Sequence, residues 1–252
     1  MVGSAARPAD QARGRLYYGW VMLLALASAQ VTSWGILYYS FSVFLKPISN
    51  DLGWSRAAMT GAFSLALFTS GVVGIFVGRW VDRHGTRLLM TVGSCVAALL
   101  LLALAGVHHL VLFYLIWAAI GGVMAAVFYA PAFAAIATWF IRYRSRALTI
   151  ISFVGGFASV IYIPLISWLI RTQGWRAALV TLAVILAVAT IPPHALLLRR
   201  RPSDLGLLPD GGAPVASRQS AVRERRIAVY PLSPQKRVSA RVTPCVVRRS
   251  AG

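Results

Sequence analysis

The chain is 252 residues long, with 25 Lys+Arg against 6 Asp+Glu and a formal charge of +19, yet 58% of it is hydrophobic and only 12% is charged. A soluble domain is roughly 45–50% apolar and 25% charged, so an ordinary soluble globule is excluded, as are a disordered basic protein and a soluble nucleic-acid binder. Two cysteines, Cys95 and Cys245, exclude a disulfide scaffold and any multi-cysteine metal site, and the composition fits a polytopic membrane protein.

Residues 1–15 are polar, and the apolar run that follows is too long for a signal-peptide core, so the first helix is expected to stay in the mature protein. Charge-free runs cover residues 16–45, 57–78, 88–141, 147–170 and 177–198. A helix needs roughly 20 apolar residues to cross the hydrocarbon core. The run 88–141 therefore holds two spans, divided at Gly106-Val107-His108-His109. This predicts six helices near 18–44, 57–80, 87–106, 110–138, 147–170 and 176–198. The organisation is then an N-terminal segment 1–16, a transmembrane domain 17–198 and a basic tail 199–252. Strands do not fit, because period-2 alternation is absent and the runs are too long.

Arginines orient the spans. Arg7, Arg13 and Arg15, then Arg79, Arg83 and Arg87, then Arg142, Arg144 and Arg146, then Arg199, Arg200 and Arg201 fall on one side. The other side holds only Lys46, Arg56, Arg171 and Arg176. Cationic residues collect in cytoplasmic loops, so both termini are expected in the cytoplasm.

Between the second and third spans the sequence reads Gly78-Arg79-Trp80-Val81-Asp82-Arg83-His84-Gly85-Thr86-Arg87. Asp82 is the only acid between Asp51 and Asp204. A lone carboxylate among arginines can pair with a cation or cap a helix N-terminus. Gly78 allows close helix approach and Gly85 a tight turn. This stretch resembles the signature loop of the major facilitator superfamily, which links the second and third helices and helps hold one conformation of the transport cycle. By that resemblance Gly78, Asp82, Arg83, Gly85 and Arg87 form the conformational loop motif, and Thr86 departs from a basic residue often found there. Tyr17-Tyr18-Gly19-Trp20, Phe41-Ser42-Val43-Phe44-Leu45-Lys46-Pro47, Gly53-Trp54-Ser55-Arg56, Trp139-Phe140, Gly174-Trp175-Arg176 and the segment from Arg201 to Asp210 narrow the likeness to bacterial members of the oxalate/formate antiporter and monocarboxylate transporter branch, over about residues 15–212.

The resemblance implies an all-α membrane fold: six transmembrane helices forming one half of a major facilitator fold, as two inverted three-helix repeats, in a bacterial inner membrane. A weak internal repeat agrees. At an offset of 90, Ser55-Arg56-Ala57 lies on Ser145-Arg146-Ala147, Phe63 on Phe153 and Tyr39 on Tyr129. The expected activity is transport of a small organic anion, such as a mono- or dicarboxylate, by alternating access.

Apart from Arg79, Arg87 and Arg176 at their ends, the predicted spans hold no Asp, Glu, Lys or Arg, so the default ion-coupling group is missing. Gln30, Trp34, Tyr38, Tyr39 and Tyr129 are the candidate lining of a substrate cavity, since an amide and phenols can orient a carboxylate. Packing or an interfacial aromatic belt is the competing reading, and the belt is the one adopted for Tyr17, Tyr18 and Trp20. Tyr39 stands where some monocarboxylate transporters carry lysine, which puts a monocarboxylate in question. Gly71 and Gly74, Gly121-Gly122 and Gly155-Gly156 read as helix-packing positions. Pro131 and Pro164 should kink their spans. His108-His109 does not share a helix face and has no acid or thiol nearby, so no metal is expected. No catalytic constellation and no cofactor motif occur.

Residues 215–252 hold eight Arg and one Lys against one Glu, and disorder is expected there. Membrane lipid headgroups are the natural partner of such a tail, and nucleic acid is not. The abrupt change of character suggests a truncated or frameshifted half. The alternative is a self-contained six-helix protein acting as a homodimer or as a non-transporting membrane partner.

Overall fold

The computed structural model describes residues 17–211. The expectations for residues 1–16 and for the tail beyond 211 lie outside the described residues. All regular structure among the described residues is helical. Five helices are long and apolar enough to cross a membrane: α1 Tyr18–Leu52, α2 Arg56–His84, α3 Arg87–Ala105, α4 Leu110–Trp139 and α5 Arg144–Leu197.

Several boundaries differ from the expectation. α1 continues through Lys46 and Pro47 and ends at Gly53 (φ 68°), whose N–H donates to the Ser49 carbonyl at 3.0 Å. A left-handed glycine stops a helix better than a lysine at the membrane edge does. Ser55 then caps α2, its hydroxyl accepting the Ala58 N–H at 3.1 Å. α2 runs past residue 80 to His84, so Gly78, Asp82 and Arg83 sit on its last turns and not in a loop. Arginines are good helix formers, and the first residue to leave the helix is Gly85.

The last two predicted helices are run together in α5, which is 54 residues long. At 1.5 Å per residue an unbroken rod of that length would be about 80 Å, far beyond a bilayer. The backbone turns at Gly174 (φ 78°, ψ 165°), and Gln173 Nε2 donates to Thr181 Oγ1 at 3.0 Å across the turn. One glycine makes the reversal without spending loop residues. The limb before Gly174 lies against α1, where the Tyr162 hydroxyl donates to Thr32 Oγ1. The limb after it returns along α3, where Ser94 Oγ lies 3.0 Å from His194 Nδ1.

The bundle has two chemically different ends. At one, Asp51 accepts from the Trp175 indole at 3.1 Å and pairs with Arg176 at 3.3 Å. Both partners are partly exposed, so the pair contributes less than about 1 kcal/mol. The other end gathers the arginines. Arg200 Nη2 donates to the Arg83 carbonyl at 2.6 Å, and Arg87 Nε donates to the Ala195 carbonyl at 2.9 Å. Tyr17 and Tyr18 lie here too, against Trp139 and Phe140. Their hydroxyls donate to the Trp139 and Leu197 carbonyls, so they staple the bundle end.

Residues 199–211, expected to begin a disordered tail, are fixed to this end. Leu198 and Pro202 are buried. Trp139 Nε1 donates to the Arg199 carbonyl at 3.1 Å. Asp210 accepts the N–H groups of Ile141, Arg142 and Tyr143 at 2.9, 2.6 and 3.3 Å, all in the turn between α4 and α5. We predict that Asp210→Ala lowers stability by about 1–3 kcal/mol, the usual loss for hydrogen bonds to a charged group, and speeds protease cleavage within 199–211. Limited proteolysis alongside thermal melting in detergent checks both.

In lipid, small residues set helix contacts, and here the glycines divide. At Gly121 a Cβ would collide with the Ala66 carbonyl and the Thr69 hydroxyl, and at Gly155 with the Tyr129 hydroxyl. Gly71, Gly74, Gly78 and Gly156 have nothing within 4 Å of that position. The packing expectation therefore fails for these four, since among the described residues no neighbour approaches them.

Candidate functional site

The sequence candidates on α1 and α4 come together around two breaks in helical regularity. In α1 the segment Trp34–Tyr39 is a π-helix, in which residues four and five apart share a face. Trp34 and Tyr38 have ring centroids 5.3 Å apart, as do Tyr38 and Tyr39. In α4 the helix opens at Phe128 (φ −80°, ψ −159°). The cause is Pro131, which cannot donate to the carbonyl four residues earlier and crowds it. That freed carbonyl belongs to Val127, and Gln30 Nε2 donates to it at 2.8 Å. Gln30 is wholly buried. Its amide is therefore used first to satisfy the α4 break, a role the sequence reading did not give it.

The break swings Phe128 and Tyr129 toward α1. Phe128 stacks on Trp34 at 4.1 Å and 16°, and Tyr129 lies 5.2 Å from Trp34. Phe63 of α2 closes the group, 5.4 Å from Tyr38 and 4.4 Å from Phe41. Its repeat partner, Phe153, is instead 68% exposed on α5. Tyr162, which the sequence reading missed, packs its ring over Gly35. The local sequence gives no signal for it, because the feature that seats it is a glycine more than a hundred residues away.

The chemistry of this cluster is donor-rich and uncharged. Trp34 Nε1 is buried without a partner, and so is Gln30 Oε1. Among the described residues the hydroxyls of Tyr38, Tyr39 and Tyr129 make no hydrogen bond, and no ionised side chain reaches the rings. No group of His, Cys, Asp or Glu that could hold a metal occurs among the described residues.

The motif residues occupy the arginine-rich end, away from the aromatic cluster. Gly85 takes φ 82° and ψ 179°, and the Arg200 side chain packs against it. Asp82 lines a cavity of about 370 Å³ with Thr86, Thr138, Arg200 and Arg201, and it has no hydrogen-bond partner among the described residues. Arg83 contributes its carbonyl, Arg87 ties α2–α3 to the end of α5, and Gly78 faces open space.

Comparison with known proteins places this architecture. The family model of the Major Facilitator Superfamily matches residues 22–238, past the change of composition near residue 214. The riboflavin transporter RibJ of Trypanosoma brucei brucei is 30% identical over 194 residues, covering 73% of this chain and 34% of the relative. The uncharacterized MFS-type transporter YcxA of Bacillus subtilis is 26% identical, covering 61% of this chain and 38% of the relative. Mouse monocarboxylate transporter 11 is 27% identical, covering 67% and 37%. The chain thus spans little more than a third of the length of these curated relatives. With the match running over most of an all-helical, multi-pass chain, this protein belongs to the major facilitator superfamily of membrane transporters.

Proposed function

We propose that the chain supplies one half of an alternating-access transporter for a small organic anion, such as a mono- or dicarboxylate, working as an antiporter. Counting the two limbs of α5 apart, the half has six membrane crossings arranged as two three-helix repeats. In this reading the arginine-rich end faces the cytoplasm of a bacterial cell and carries the motif residues Gly78, Asp82, Arg83, Gly85 and Arg87 as the conformational latch. The solute lies against Trp34, Tyr38, Tyr39 and Tyr129, between this bundle and a second one in the same polypeptide or another copy.

The observation that carries the anion assignment is an uncharged set of unused groups: one buried indole N–H, which can only donate, and three phenol hydroxyls, which can each donate or accept. Neutral donors in a dry site bind a carboxylate at about 1.5–3 kcal/mol per bond. The direct test is tryptophan fluorescence of the purified chain titrated with oxalate, formate, lactate and riboflavin. We expect saturable quenching by one or more carboxylates. Trp34→Phe and Tyr129→Phe should each weaken it about 10- to 100-fold, one lost bond to a charged group. A response to riboflavin alone, or carboxylate affinities unchanged in both variants, would overturn the assignment. Exchange of labelled carboxylate by liposomes holding only this chain would favour the self-contained homodimer.

A further inference from the structure

α2 and α3 are joined by only Gly85 and Thr86, yet they do not run side by side. Each leans on α4, and the two barely touch one another. Between them lies a groove of about 510 Å³. Trp80 of α2 forms one wall, Leu88, Val92 and Val96 of α3 form the other, and Gly122 and Ala126 of α4 form the floor. The α3 wall is exposed on the outside of the bundle, on a helix long and apolar enough to cross a membrane.

The groove's open end is chemically different. Trp80, 43% exposed, lies 4.5 Å from the imidazole of His84, and an indole so placed marks the membrane–water interface. Arg83 follows on the same side of the helix, with Arg79 next to Trp80 in sequence. Neither guanidinium has a partner among the described residues. Asp82 sits about 200° around α2 from Trp80 and about 100° from Arg83. It lines the separate cavity with Arg200 and Arg201 and shares its side of the helix with Arg79, three residues earlier, so Arg83 is the cation that faces the groove without an acid beside it.

From this juxtaposition of an apolar groove with unpaired cations at its mouth, we infer that the groove holds an acyl chain of one anionic phospholipid. Arg83 and His84 hold its phosphate, with Arg79 one position round the helix adding to the positive charge. The site rests on membrane residence alone and is independent of the solute carried.

The test is native mass spectrometry of the purified full chain, equilibrated in detergent with equimolar phosphatidylglycerol, phosphatidylethanolamine and phosphatidylcholine of matched acyl chains. One phosphatidylglycerol should be retained, at least tenfold over phosphatidylcholine. A Cβ at Gly122 meets only Val73, at 3.7 Å, so Gly122→Leu fills the groove without disturbing the helices. It should cut lipid retention at least tenfold with the melting temperature unchanged. Arg79→Gln with Arg83→Gln, both on the surface, should keep a bound lipid while its headgroup preference falls to near one. Wild-type retention in Gly122→Leu, equal retention of all three lipids by the wild type, or a dimer that Gly122→Leu dissociates would each overturn the proposal, the last by placing a second copy in the groove.

Discussion

Gly121→Leu is expected to abolish recovery of folded, monodisperse protein, while Gly122→Leu leaves yield and melting temperature near wild type. The two residues are neighbours in sequence and on opposite sides of a packing boundary. At Gly121 even a Cβ would collide with the backbone carbonyl of Ala66 and with Thr69 Oγ1. That hydroxyl bridges α2 and α4 by donating to the Ala118 carbonyl at 3.0 Å. Overpacking a tight core costs about 1–3 kcal/mol when side chains can move aside, and here the obstacle is main chain. α2 must shift away from α4 and lose the Thr69 bridge with it. Size-exclusion yield and thermal melting in detergent decide the matter, and equal behaviour of the two variants would contradict it.

The second large effect belongs to Gly174→Ala. With φ 78° and ψ 165° this residue occupies a region open essentially to glycine alone, and forcing a side chain there costs on the order of 1–3 kcal/mol. Nothing lies within 4 Å of its would-be Cβ, so the penalty is purely that of the backbone. Gly156→Ala is the matched control. It too has open space, but it closes the helical segment Arg144–Gly156 with no positive φ, where alanine is favoured over glycine by up to about 1 kcal/mol. Opposite shifts in melting temperature are therefore expected, downward for Gly174→Ala and upward for Gly156→Ala.

The membrane fold was legible because it rests on long-range composition: charge-free runs separated by arginines survive any error in local boundaries. Where helices end was less legible, because ends depend on single capping residues. Ser55 and Gly53 set the first connection, and Gly85 ends α2 only after the motif residues have joined the helix. The Gly174 reversal was read as an ordinary helix start at Gly174-Trp175. A sequence gives the residue but not its φ. The aromatic cluster was partly visible, since Trp34, Tyr38, Tyr39 and Tyr129 were chosen on chemistry and position. Gln30 was chosen for its amide, yet that amide answers the carbonyl released by Pro131, a pairing across 97 residues that no local pattern announces. Tyr162 was invisible for the same reason.

The wide turn at Trp34–Tyr39 has a bearing on how α1 can change in length. A helical residue advances about 100° around the axis, so each residue added or removed re-aims everything beyond it. Phe41, Phe44 and Ile48 are buried with the offset that the π-helix introduces. Shortening α1 by one position upstream of residue 34 would rotate Gln30 or the residues before it away from their partners. Shortening it within 34–39 would straighten the rod and turn the lower half away from its present partners. Insertions or deletions inside α1 should therefore cost more stability than ones at its ends, because the irregular turn fixes the helix's register from both sides.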